Sequence, residues 1–363
     1  MSSPRAGVGF VRRPDELTAE WLTSVLRDAG AASDEAAVVD CTATAIGTGQ
    51  MSETYRVALE WEDARRAGPA SIVVKLAAAD ATSRTTGIGL GIYEREIRFY
   101  GEVAPRIGGP IAACHLAVYD AEEGWFTLVI EDTAPSAQGD QIAGCSVEDA
   151  RLAIHELARL HAPVWEDQEL ESAEWLNQPS VVDQAIVAGL LTGFLERYEE
   201  RIEAEHRAMV ERFVARFDAW NADRRRPFSI VHGDYRLDNL LFGKPGSPRP
   251  LTVVDWQTVS WGQPLLDASY FLGAGLSVED RRAHEEALLR EYHEALRTLG
   301  VGDFEWERCW EEYRRQAFHG VLMSVIAPML VVRTERGDDM FMTSLARYSQ
   351  QVLDLDAEDL LPG

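Results

Sequence analysis

The sequence predicts an α+β chain in which strands cluster in the first third and helices fill most of the rest. Three observations carry that reading. Apolar runs of strand length fall at 42–46, 54–61 and 71–76, and a further pair at 111–119 and 125–130 brackets the turn Asp120-Ala121-Glu122-Glu123-Gly124. From residue 147 onward the apolar positions recur at helical spacing. Within that second part, the loop His232-Gly233-Asp234-Tyr235-Arg236-Leu237-Asp238-Asn239 sits between two apolar stretches, Phe228, Ile230, Val231 before it and Leu240, Leu241, Phe242 behind it. Short buried strands holding a polar loop look like this, and such loops carry function.

A length of 363 residues suits about two domains with a sizeable core. With 35 basic and 60 acidic side chains the net charge is −25, which makes nucleic acid and anionic membrane surfaces poor partners. The four cysteines, Cys41, Cys114, Cys145 and Cys309, form no C-x-x-C pair, so neither a zinc site nor a disulfide framework is expected and a cytoplasmic setting is. Arg5, Arg12 and Arg13 near the start precede no apolar segment of signal-peptide type. The apolar run 321–332 is too short to span a bilayer and contains Pro328, so it is expected as a buried helix.

In chain order, residues 15–29 suit an opening helix with Asp15 as cap, Leu17, Trp21, Leu22, Val25 and Leu26 on one face, and Gly30 as terminator. The turn between the first two strands contains Gly47, Gly49 and Ser52. Glycines there allow close backbone approach to a phosphate and Ser52 offers a hydroxyl, although a glycine-rich hairpin is also simply a turn. Lys75 lies in the apolar strand Ile72-Val73-Val74-Lys75-Leu76, where an ammonium is costly unless it is paired or faces solvent from an edge. The stretch 82–91 is expected as a mobile loop, and the helix at 90–102 offers two glutamates. Glu96 has Ile92, Tyr93, Phe99 and Tyr100 three and four residues away and so belongs to the buried face, whereas Glu94 shares a mixed face with Leu90, Ile97 and Arg98. Glu96 is therefore the expected partner of Lys75.

Beyond the loop come the strand Leu251-Thr252-Val253-Val254 and then Asp255-Trp256-Gln257. A carboxylate, a carboxamide and a second carboxylate at Asp234, Asn239 and Asp255 are the three pieces that phosphoryl transfer to a hydroxyl requires: a proton acceptor and two metal ligands. His232-Gly233-Asp234 with Asn239, followed by Asp255-Trp256-Gln257, resembles the aminoglycoside phosphotransferase and choline kinase superfamily, most closely its ecdysteroid-kinase-like branch. The resemblance covers roughly residues 40 to 275 and implies a protein-kinase-like two-lobed fold. It implies a nucleotide-binding lobe at 1–132 and a catalytic and acceptor-binding lobe at 133–363. It implies ATP and Mg²⁺ as cofactors, Asp234 as base, Asn239 and Asp255 on the metal, and Lys75 with Glu96 on the phosphates. Adenine would bond the Glu131 carbonyl and the Thr133 amide at a hinge. Asp267, in Gly262-Gln263-Pro264-Leu265-Leu266-Asp267, would support the catalytic loop, with His161 structural beneath it. Arg236 either reaches the transferred phosphoryl group or pairs with Asp238.

The resemblance implies a small-molecule acceptor with a hydroxyl. Residues 318–332, the expected far wall of its pocket, carry no carboxylate, and Trp256 and Trp261 are candidates to extend that apolar surface. Glu335, Asp338 and Asp339 just beyond speak for a cation instead. An aminoglycoside-type antibiotic kinase and a nucleotide-binding pseudokinase-like interaction protein are the alternatives. The second is disfavoured because Lys75, Asp234, Asn239 and Asp255 are all present.

Overall fold

The computed structural model describes residues 9–47, 51–63, 65, 67–178, 182–247 and 249–362. The fold is α+β and two-lobed. One lobe comprises residues 1–105, 111–134 and 255–258, and the other comprises 106–110, 135–254 and 259–363.

The first lobe is built on a five-stranded antiparallel sheet in the order β1-β2-β3-β5-β4. Its strands are β1 (Val38–Ile46), β2 (Ser52–Trp61), β3 (Ser71–Ala77), β4 (Cys114–Asp120) and β5 (Trp125–Glu131). Alternation along β3 decides what each face does. Ile72, Val74 and Leu76 are fully buried in a cluster with Leu22, Val25 and Leu26 of helix α1 (Ala19–Asp28). Val73 and Lys75 therefore point to the opposite face. The opening helix is shorter than its apolar pattern suggests. Pro14–Glu16 forms a separate 3-10 turn, Leu17 is extended, and Thr18 caps α1 by accepting the Trp21 amide, so Asp15 is not the cap. Gly30, at φ +69°, follows the helix as expected.

Two helices follow β3. The stretch expected as a mobile loop is largely helical: Asp80 accepts the Ser83 amide and caps α2 (Ala81–Gly89). The capping carboxylate offsets a run of weak helix formers. α3 (Ile92–Arg98) continues through a π-helical turn, Phe99–Val103. Tyr93 of α3 meets Phe126 of β5 at 4.8 Å between ring centroids. Residues 255–258 join this lobe through Trp256, whose ring stacks on Phe99 at 3.7 Å and 10°.

The second lobe is mainly helical. Its longer helices are α4 (Val147–His161), α5 (Gln184–Tyr198), α6 (Ala204–Val214), α7 (Leu265–Gly275), α8 (Val278–Thr298), α9 (Trp306–Arg315), α10 (Phe318–Leu330) and α11 (Glu335–Asp354). Two small antiparallel sheets complete it, one pairing β7 (Ser229–Val231) with β10 (Ser260–Gly262). The other has the order β6-β8-β9, with β6 at Ala137–Gln138, β8 at Leu240–Phe242 and β9 at Leu251–Val253. The polar loop thus lies between β7 and β8, as the apolar flanks predict. The run 321–332 falls mostly within α10, which Pro328 does not end, and no described helix is long and apolar enough to cross a membrane.

Helices α10 and α11 approach closely at a glycine. A Cβ on Gly320 would sit 2.2 Å from Cδ1 of Tyr348, whose ring occupies that space. Gly320→Ala should therefore force the ring or the helix to move and destabilise the fold by about 1–3 kcal/mol, the usual cost of overpacking, read from urea unfolding midpoints.

Candidate active site

In the first lobe the site grows from Lys75. β3 is a central strand, so the lysine is not at an edge, and its ammonium is mostly shielded from water. Lys75 Nζ lies 2.6 Å from Glu96 Oε2 and 2.7 Å from Asp255 Oδ1. Burial alone would pull the lysine pKa down, but the two carboxylates outweigh it and hold the pKa above its ordinary value, so the group stays a cation. Glu96 also accepts the Trp256 backbone N–H, and Gln257 Nε2 lies 3.2 Å from Asp255 Oδ2. Glu94 instead pairs with Arg98 at the surface, 3.2 Å away. The helical-face argument thus separates the two glutamates in the way the geometry does. Asp255 itself has φ +68°, a left-handed conformation that a non-glycine residue holds only when its surroundings enforce it.

The other expected positions in this lobe are less informative. Gly47 ends the first strand at φ +76°, and Ser52 is the buried first residue of β2; Gly49 lies outside the described residues. Glu131 closes β5 with its amide on the Ala113 carbonyl and its carboxylate on the Ala113 amide; Thr133 follows two residues on. Trp256 is fully buried, and Trp261, in the other lobe, is nearly so. Neither can extend an acceptor surface, because the first is committed to Phe99 and the second to the β7–β10 pair.

In the second lobe the loop after β7 is held from below by a buried carboxylate. Asp267 of α7, fully shielded, accepts the backbone amides of His232 at 2.7 Å and Gly233 at 2.9 Å. His161 lies beneath it, with Nε2 3.4 Å from Asp267 and Nδ1 2.7 Å from the Tyr292 hydroxyl. His232 Nε2 donates to the Val254 carbonyl at 3.0 Å, and the Val254 amide donates to the Asn239 carbonyl at 3.0 Å. Loop and strand end are therefore stitched together around Asp234 and Asn239.

The Asp234 carboxylate receives three donors. Arg236 Nε lies 3.0 and 3.1 Å from its two oxygens, Asn239 Nδ2 is 2.8 Å from Oδ2, and the Tyr270 hydroxyl is 3.2 Å from Oδ1. Arg236 also pairs with Asp238 at 2.5 Å, so the guanidinium spans both carboxylates, and these charges together with the Tyr270 oxygen keep its pKa raised against the opposing effect of burial. His319 of α10 donates from Nε2 to the Gly233 carbonyl at 3.0 Å, and burial lowers its pKa, which keeps the imidazole neutral. Tyr270 was not legible as a site residue. Its only signal is its place three residues beyond Asp267, on the same face of α7.

Among the described residues no group of three His, Cys, Asp or Glu side chains gathers to hold a metal ion.

Residues 47–300 match the profile of the ecdysteroid kinase-like family. A kinase-like protein of Caenorhabditis elegans is 24% identical over 232 residues, a match that spans 61% of this chain and 61% of that relative. Among solved structures, a choline kinase from Cryptosporidium parvum superposes with a TM-score of 0.55 at 9% identity, covering 95% of this chain and 98% of that one. A mutant aminoglycoside 2′-phosphotransferase IIIa in its GDP complex gives 0.53 at 13% identity, covering 93% and 98%. At these identities the structural likeness establishes the fold, which is protein-kinase-like.

The contrast between the two glutamates is testable. Glu96→Ala removes a buried partner of Lys75, whereas Glu94→Ala removes a surface pair of the kind worth only about 0.3–0.5 kcal/mol. Turnover measured as ADP release should fall at least roughly tenfold further in the first variant than in the second, as loss of an aligned charge in a shielded site implies.

Proposed function

The chain belongs to the ecdysteroid kinase-like family, and from that membership and the geometry we propose that it is an ATP-dependent phosphotransferase acting on a hydroxyl of a small, neutral, largely apolar molecule. The observation that carries the reading is the arrangement at Asp234. Its carboxylate is fixed by neighbouring donors, and Asn239 turns its Nδ2 to that carboxylate, which leaves the amide oxygen as the face available to a metal.

The donor chemistry fits the implied cofactors. Asp255 and Asn239 supply hard oxygen ligands suited to Mg²⁺, and Lys75 supplies a persistent cation for phosphate oxygens. When bound, MgATP supplies the electrophilic γ-phosphorus. Asp234 accepts the proton that the acceptor hydroxyl loses as its oxygen becomes the nucleophile. Glu96 keeps Lys75 extended along the face of the sheet, and Arg236 holds the orientation of Asp234 while remaining close enough to counter developing negative charge. Gly47, Gly49 and Ser52 serve the phosphates, and the Glu131 carbonyl and Thr133 amide serve the adenine.

Two features favour a neutral acceptor. Helix α10 buries Phe318, Val321, Leu322, Val325 and Ile326; Met329 and, along one stripe, His319, Met323, Ala327 and Leu330 are more accessible. That stripe begins at the residue bonded to Gly233 and runs about 16 Å at 1.5 Å per residue, with one neutral polar group at its head. Two of the three acidic side chains beyond it are engaged by other partners: Asp338 accepts the Tyr198 hydroxyl and pairs with Arg333, and Asp339 pairs with Arg201 at 2.8 Å. A polycation would have to displace those contacts.

Comparing a sterol-type alcohol, choline and a kanamycin-type aminoglycoside at equal concentration, with ADP release as the readout, tests the acceptor class. Turnover should be highest with the sterol; efficient phosphorylation of kanamycin alone would overturn the assignment. Asp234→Asn should keep MgATP affinity and lose about 10²–10⁴ in turnover, because an amide cannot take the proton. Asp255→Ala should instead abolish Mg²⁺-dependent ATP binding in a calorimetric titration, through loss of the carboxylate ligand.

A further inference from the structure

Helix α7 touches three consecutive residues of the loop. Asp267 accepts the amides of His232 and Gly233, and one turn later Tyr270 donates to the carboxylate of Asp234. The donors to Asp234 differ in origin. Arg236 and Asn239 belong to the loop itself and move with it, whereas Tyr270 is the donor, among the described residues, that arrives from outside the loop. Its ring is held on several sides. Tyr348 of α11 stacks on it at 5.2 Å and 8°, the Tyr348 hydroxyl donates to the Tyr270 carbonyl at 3.0 Å, and His319 of α10 meets it edge-on at 5.0 Å. Burial and the adjacent Asp234 raise the phenol pKa, so the hydroxyl stays protonated and acts as the donor.

We propose that Tyr270 is a positioning residue for phosphoryl transfer, tying the Asp234 carboxylate to the rigid α7–α10–α11 core so that it meets the acceptor hydroxyl in one orientation. The proposal rests on Asp234 being the proton acceptor. At 3.2 Å the contact is long for a hydroxyl donor, so its contribution is directional restraint more than bond strength. Removing the hydroxyl leaves the aromatic packing intact, which makes Tyr270→Phe a clean probe.

The experiment uses the full chain, radiolabelled MgATP and whichever of the sterol, choline or kanamycin acceptors the unmodified protein phosphorylates fastest. Tyr270→Phe should lower kcat on the order of tenfold, as loss of one hydrogen bond to a charged group does, with KM for ATP and the folded fraction at assay temperature unchanged. In an Asp234→Asn background the same substitution should change the residual rate less than about twofold, because the carboxylate through which it acts is already gone. Unchanged kcat in Tyr270→Phe overturns the proposal, as does an equal loss in both backgrounds or a loss that follows the folded fraction measured by circular dichroism. If the unmodified protein phosphorylates none of the three acceptors, the phosphotransfer reading itself fails and this proposal falls with it.

Discussion

The second lobe depends on a carboxylate buried where no water can reach it. Asp267 is fully shielded, and such a charge is tolerated only when its lone pairs are met by well-placed donors. Two of those donors are consecutive loop amides, which fixes the peptide planes of His232 and Gly233 and with them the direction in which Asp234 leaves the backbone. Gly233, at φ +80°, adopts the left-handed turn that lets both amides converge on one side chain. His161 and Tyr292 close the network from below, so a residue that looks catalytic by type is occupied as structure.

The first lobe shows the same economy with opposite signs. Lys75 is a mostly shielded cation between two carboxylates, and Glu96 takes a second bond from the Trp256 amide. Asp255 can hold its left-handed backbone because the next residue is anchored twice, by that amide and by the stacking of its indole on Phe99. Strain of about 1–3 kcal/mol at one residue is of the same order as what a buried aromatic contact and a charge-assisted hydrogen bond return. A tryptophan at position 256 is therefore an anchor for the aspartate before it, and its burial removes it from any role in acceptor recognition.

Much of this was legible in the sequence where the signal was local or periodic. The five strands of the sheet, the choice of Glu96 over Glu94, and the support of the loop by Asp267 all followed from period-two runs, helical faces or motif resemblance. Other features were hidden because they depend on long-range packing. Capping by Asp80 turned an expected loop into a helix, and the burial of Trp256 and Trp261 reflects partners far away in the chain. Arg236 stood in the sequence between reaching the transferred phosphoryl group and pairing with Asp238, and the structure places its guanidinium on Asp238 and also on Asp234.

The acidic composition shows why sequence charge is a poor guide to what a pocket prefers. A net charge of −25 would favour a cationic acceptor if carboxylates near the loop were free. Four of those in the second lobe are already compensated: Asp234 and Asp238 by Arg236, Asp338 by Arg333 and the Tyr198 hydroxyl, and Asp339 by Arg201. A cationic guest gains little from a carboxylate whose charge is already countered, and it loses hydration on meeting an apolar surface. A neutral guest pays neither cost, since Met323, Ala327 and Leu330 ask only for apolar surface to cover, and His319 presents a neutral ring beside the reacting end. On the proposed reading, the balance of desolvation against attraction at this stripe, not the sign of the whole chain, selects the acceptor.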